Sequence, residues 1–189
     1  MANGAELLAE VAGRADPEVV GLIAGSARAA SRRLQFYRVA FGSANALSSG
    51  RPLADARALT TALLEEGKVG LEWAYPEAAA EQQAGRGAVK ALLNLVLVAV
   101  ETLPRGGVLK VAAAIPPTGG IEFGVVAEGP QARLAEDGRA ALAGEPGDPT
   151  PRTVPARLAR LIATEAGGKL GVEQRPDHVK LSARFPRPA

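Results

Sequence analysis

The chain contains no cysteine among its 189 residues. That excludes disulfides, thiolate nucleophiles and cysteine metal sites, and it fits a reducing compartment. There is a single histidine, His178, so any chemistry that runs on imidazole has one candidate in this sequence. Aromatics make up only 4% of the residues although 47% are hydrophobic, much of that alanine. Aliphatic side chains must therefore fill the interior. The net charge is +2, too weak to point to nucleic acid or an anionic membrane as partner. The longest strongly apolar run, Ala91 to Val100, contains Asn94 and falls far short of the roughly 20 residues that span a bilayer. The opening "MANGAELLAEVAG" lacks the basic stretch and apolar core of a signal peptide. These absences leave a globular cytoplasmic protein as the expectation.

What is present is orderly. Residues 2–12 have helical composition and Gly13 is a plausible stop. Asp16 and Pro17 suit the cap and first position of a second helix, expected to run to about Ala46. Along it Ile23, Ala27, Ala30, Leu34, Tyr37, Phe41 and Ala44 recur at alternating steps of four and three, a heptad seam about three heptads long. Leu22, Ala29, Phe36 and Ala40 widen the apolar face, and Arg28, Arg32, Gln35 and Arg38 are its polar positions. A stripe this wide suits a bundle of more than two helices; a lone amphipathic helix lying on a core is the plainer alternative.

"SSGRP", Ser48 to Pro52, reads as a linker and divides residues 1–47 from residues 53–189. Beyond it the elements alternate. A helix over Asp55–Glu66 stops at Gly67. "KVGLEWAY" alternates Val69, Leu71, Trp73 and Tyr75 on one face of a strand. "RGAVKALLNLVLVAVETL" is a buried helix ending at Pro104. "GGVLKVAAAI" and "IEFGVVAE" form a hairpin across "PPTGG". Helices are expected over 131–143 and Val154–Ala166, and a final hairpin turns at "RPD". The glycines of "LPRGG", Leu103 to Gly107, serve as a helix stop and a tight strand entry. The fold class is α+β: a helical hairpin followed by an α/β sandwich with a mixed sheet.

This order of parts resembles a histidine kinase core, in which a dimerising helical hairpin precedes an ATPase-like domain. More narrowly, "SRRLQFYRVAFGSA" (Ser31 to Ala44) and "KALLNLVLVAVETLPRGGVLKV" (Lys90 to Val111) resemble the alphaproteobacterial histidine phosphotransferases of the ChpT type, over nearly the whole chain. The resemblance implies a homodimer whose hairpins build a four-helix bundle. It implies relay of a phosphoryl group from the receiver domain of a hybrid kinase to the aspartate of a response regulator. It also implies a degenerate kinase domain that uses no ATP and no cofactor.

The nucleotide motifs agree with that degeneracy. Asn94 matches the first asparagine of the kinase helix, but Val98 stands where the second would hold Mg²⁺, which demands oxygen ligands. In "AEGPQA", Ala127 replaces the adenine-binding aspartate and Gln131 replaces a glycine of the Asp-x-Gly-x-Gly turn. "PRTVPARLARL", Pro151 to Leu161, replaces the glycine-rich lid whose bare amides cradle phosphate. Asn94 itself is expected to be structural.

The resemblance places the reactive histidine in a His-Asp pair about a dozen residues ahead of a segment like Ala2–Glu10, so it is expected in sequence upstream of Met1. His178, in a turn of the other domain, does not match it. No residue of this chain is assigned as catalytic, cofactor-binding or metal-ligating. Arg28, Arg32, Gln35 and Arg38 are candidate contacts for receiver domains; Ile23, Leu34, Tyr37 and Phe41 are expected to pack the bundle. The alternative is a dimeric protein that binds response regulators without transferring phosphate.

Overall fold

The computed structural model describes residues 17–42, 53–74 and 87–187. The expected first helix, the linker at Ser48–Pro52, and Ala44 and Tyr75 lie outside them. Helix α1 spans Pro17–Phe41, with Glu18 in its first turn and Arg38 in its last, charges that complement the helix dipole. It ends at Phe41, short of the expected Ala46, and the Gly42 amide closes it onto the Arg38 carbonyl at 3.1 Å. Helix α2, Leu53–Leu64, follows. Its stop is as expected, with the Gly67 amide on the Leu64 carbonyl.

Strand β1, Val69–Ala74, leads through helix α3, Ala88–Glu101, into strand β2, Gly107–Ala114. β1 and β2 pair in parallel, which requires a crossover, and α3 supplies it. Strand β3, Ile121–Glu128, pairs antiparallel with β2. Helices α4, Glu136–Ala143, and α5, Val154–Glu165, precede the hairpin of β4, Lys169–Arg175, and β5, His178–Phe185. The sheet order is β1-β2-β3-β5-β4, the mixed sheet expected from the sequence.

One face of this sheet packs beneath the helices. Leu109, Val111, Phe123, Val125, Leu181 and Phe185 are buried there against the apolar length of α3. Phe123 and Phe185 meet edge to face with ring centroids 6.1 Å apart. The outer face is charged and cross-paired. Lys180 bonds Glu173 across β5 and β4 at 2.8 Å, and Lys110 bonds Glu128 across β2 and β3 at 2.7 Å. The edge strand β4 exposes Lys169, Glu173 and Arg175.

The "LPRGG" glycines do what a plain stop requires, and more. Gly106 and Gly107 hold φ of 81° and 143°. A side chain on Gly107 would run into the Glu128 carbonyl, and one on Gly129 into the Gly106 carbonyl. Three glycines thus let the start of β2 and the end of β3 touch backbone to backbone. Gly107→Ala is expected to cost about 1–3 kcal/mol through backbone strain alone, read as a lower urea midpoint at unchanged slope.

The largest difference from expectation lies ahead of α4. The helix expected over 131–143 begins only at Glu136. Pro130 and Gln131, the latter at φ 63°, turn the chain. Residues 132–135 then run without regular structure, with the Arg133 amide on the Thr102 carbonyl at 3.0 Å and the Leu134 amide on Gln174 Oε1 at 3.2 Å. Tertiary partners take the amides that a first helical turn would leave free.

Candidate docking face and relic nucleotide pocket

Among the described residues, helix α1 is buried only over a short stretch near its C-terminus. Phe36, Val39 and Ala40 are its buried residues. Apolar side chains on its remaining surface stay in the open: Leu34 is 67% exposed, Tyr37 40% and Phe41 38%. Ile23 is half-buried. The expected seam therefore divides. Leu34 faces solvent. Tyr37 and Phe41 stack on each other with centroids 5.6 Å apart and line a groove of about 660 Å³ shared with Leu97, Val100 and Pro151.

The four polar positions divide as well. Arg28, Gln35 and Arg38 are exposed. Arg32 is half-buried and committed to α2 and the turn after it, ion-pairing with Glu65 at 3.4 Å and with Glu66. It ties two helices together.

The four nucleotide-site positions are not gathered into one site. Asn94 is fully buried, and its Nδ2 donates to the Ala40 carbonyl of α1 and to the Lys90 carbonyl, both at 2.8 Å. These bonds tie it to the C-terminal end of helix α1 and to its own helix. Ala127 is buried on the helix-facing side of β3. Gln131 holds a left-handed backbone, φ 63°, with its amide donating to Asp177 Oδ1 at 2.7 Å. Val98 lines a cavity of about 160 Å³ with Glu101, Arg133, Leu134, Asp137 and Arg152. Glu101 and Arg133 also line a wider, open cleft of about 780 Å³ with Gln131, so what argues against a nucleotide is the chemistry of the positions: Val98 offers no oxygen to a magnesium ion and Ala127 no acceptor to an adenine. Leu134, ahead of α4, is buried, and Arg152 Nε lies 3.7 Å from Glu101 Oε1, two further residues lining the smaller cavity. Burial raises the Glu101 carboxyl above its ordinary range; Arg152 opposes this, and Asp137 adds to it.

His178 stands on the outer sheet face, its Nδ1 3.5 Å from Glu128 Oε1. Lys110, foremost, and His178 hold the Glu128 carboxyl below its usual 4.5. A carboxyl depressed in the folded state stabilises above its unfolded pKa, and that contribution is lost as pH falls through the folded one. Lys110→Met is expected to move the Glu128 titration upward and to flatten the acid limb of stability, checked by carboxyl NMR titration. Among the described residues, no group of three or more histidines, aspartates and glutamates could hold a metal, and no helix is long and apolar enough to cross a membrane.

Sequence reasoning missed Lys90, whose Nζ donates to the Gly42 carbonyl at 2.6 Å. Its spacing of four from Asn94 places both on one helix face, a signal that was available. It also missed the Glu101–Arg152 contact, for which residues so far apart in the chain give no local cue.

A helical arm joined to a kinase-type sandwich that has lost its nucleotide groups defines a degenerate histidine-kinase-like protein. Comparison with known proteins agrees and goes further. Residues 53–178 match the family model "Histidine phosphotransferase C-terminal domain". The chain is 33% identical to the protein phosphotransferase ChpT of Brucella abortus (strain 2308) over 185 residues, 96% of this chain and 84% of that one. The structure of a bacterial phosphotransferase superposes with a TM-score of 0.78 at 31% identity, covering 96% of this chain and 84% of the other. The kinase domain of the Erythrobacter litoralis blue-light activated histidine kinase EL346 shares the fold, with a TM-score of 0.55 at 13% identity over 97% and 80% of the two chains. The chain belongs to the histidine phosphotransferase family, of the ChpT type, a family of two-component signalling.

Proposed function

We propose that the protein passes phosphoryl groups between receiver-domain aspartates as a homodimer, with its reactive histidine in sequence upstream of Met1. An imidazole nitrogen attacks the phosphorus of an aspartyl phosphate. A P–N bond forms as the acyl P–O bond breaks, and the carboxylate leaves. The second receiver's aspartate reverses these steps, attacking phosphorus to release the imidazole.

The observation that carries this reading is the exposed apolar surface of α1, with Leu34 the most open of its C-terminal half, joined to a body that lacks the nucleotide-holding groups at Val98 and Ala127. Such a stripe is costly in water and fits burial in a four-helix bundle. His178 is set aside by its place on the charged sheet face, away from α1. Arg28, Gln35 and Arg38 remain as receiver contacts, because Arg32 is already paired.

The test is incubation of the protein, purified from its native cell, with a phosphorylated receiver domain. Label is expected on the protein in an alkali-stable, acid-labile form, as a phosphoramidate requires. Receiver binding without label, on a protein whose intact mass matches this chain, would establish the non-catalytic binding protein instead. Titration with Mg-ATP is expected to release no binding heat at millimolar nucleotide; micromolar affinity would refute the reading of Val98, Ala127 and the lid.

A further inference from the structure

We propose that Lys90 and Asn94 are positioning residues that fix the angle between helix α1 and the α/β body, so that a receiver meets both as one rigid surface. The receiver part of this rests on the phosphorelay reading; the fixed angle does not.

The buried junction of α1 is small. Of its 25 residues, Phe36, Val39 and Ala40 are buried, and apolar contact over so short a length is non-directional. Direction comes from polar ties. Lys90 Nζ reaches the Gly42 carbonyl and Asn94 Nδ2 the Ala40 carbonyl. Both lie at the α1 C-terminus, where carbonyls lack helical partners and a cation is favoured. Arg32 makes a second point of attachment through Glu65 and Glu66. It lies eight residues back, about 12 Å along the axis. Two points that far apart set an angle, where one would set only a pivot.

Asn94 is also an expensive residue to place there. It is fully buried in the most apolar helix of the fold, and its Oδ1 has no hydrogen-bond partner. An apolar residue would avoid that desolvation cost. A lone buried asparagine that costs stability and sets register has precedent in coiled coils. Here the register is that of α3 against α1.

The absence of cysteine makes the test direct. Spin labels at Ser26→Cys on α1 and Glu122→Cys on the outer sheet face, both exposed, report the angle as a distance distribution. Dilution with unlabelled protein keeps the pairs intramolecular. The parent is expected to give one narrow distance. Lys90→Met is expected to broaden it and to weaken receiver-domain binding about tenfold by calorimetry, while Lys90→Arg restores both. Asn94→Leu is expected to broaden the distance without lowering the melting temperature, which a purely structural asparagine would not do. A distribution as narrow in Lys90→Met and Asn94→Leu as in the parent would overturn the latch. Broadening with unchanged receiver affinity would overturn its positioning role. A parent that binds no receiver, with broadening in the variants, would leave the latch standing and remove the phosphorelay reading.

Discussion

Replacing Leu34 and Phe41 together by glutamate is expected to leave a folded monomer, whereas the proposed four-helix bundle makes the parent a dimer. Leu34 is two-thirds exposed and Phe41 more than one-third, so neither carries the core of a single copy. In a symmetric bundle each substitution counts twice. Full burial of one such side chain is worth about 1.5–3 kcal/mol, and a carboxylate put in its place adds the cost of desolvating a charge. Since about 1.4 kcal/mol is tenfold in affinity, association falls by several orders of magnitude. Light scattering at micromolar concentration reads the mass directly. Leu34→Glu alone serves as the cleaner control, because Phe41 also stacks on Tyr37 in the groove. A double variant that stays dimeric would end the bundle model.

Phe123→Ala is expected to be the most destabilising single truncation of the sheet. Phe123 is fully buried and meets Phe185 edge to face. So few aromatics occur in the chain that aliphatic neighbours must collapse into the space left. Removing a buried phenyl ring costs about 3–5 kcal/mol, a large share of the 5–15 kcal/mol that holds a typical domain folded. At roughly 2–4 °C per kcal/mol for a chain of this size, the melting midpoint drops by roughly 6–20 °C, measurable by calorimetry. A shift under about 3 °C would mean that the two rings do not share one packed core. Because Phe123 is fully buried and contributes nothing to the exposed face of α1, self-association through that face is expected to persist in the folded variant, which separates core damage from loss of the bundle face.

Strands with clear alternation were legible from the sequence, and Ile121–Glu128 appears with the bounds its pattern implied. Helix α5 starts at Val154 as expected and ends at Glu165, one residue before the expected Ala166. The start of α4 was not, because the amides of Arg133 and Leu134 are taken by Thr102 and Gln174, partners from distant elements. The lost nucleotide groups were legible as residue identities, and their scattering was not. Ala127 reads as a missing aspartate, yet nothing local reveals that Leu134 is buried beside the remnant cavity. The polar face of α1 gave the same lesson. Arg32 follows the spacing of Arg28 and Gln35, and only the fold brings Glu65 and Glu66 to it.

The charges along β4 bear on what this chain does in a crowded solution. An open edge strand offers unpaired backbone groups to any passing strand, and exposed lysine, glutamate and arginine deter such pairing. With Lys169, Glu173 and Arg175 on that edge and cross-linked charges over the open sheet face, growth of the sheet from copy to copy is discouraged. The largest exposed apolar side chains on one element are those of α1, Leu22 and Leu34, each 67% exposed. Charging Leu34 should therefore make the protein more soluble, and neutralising Lys169, Glu173 and Arg175 together should make it aggregate as it is concentrated.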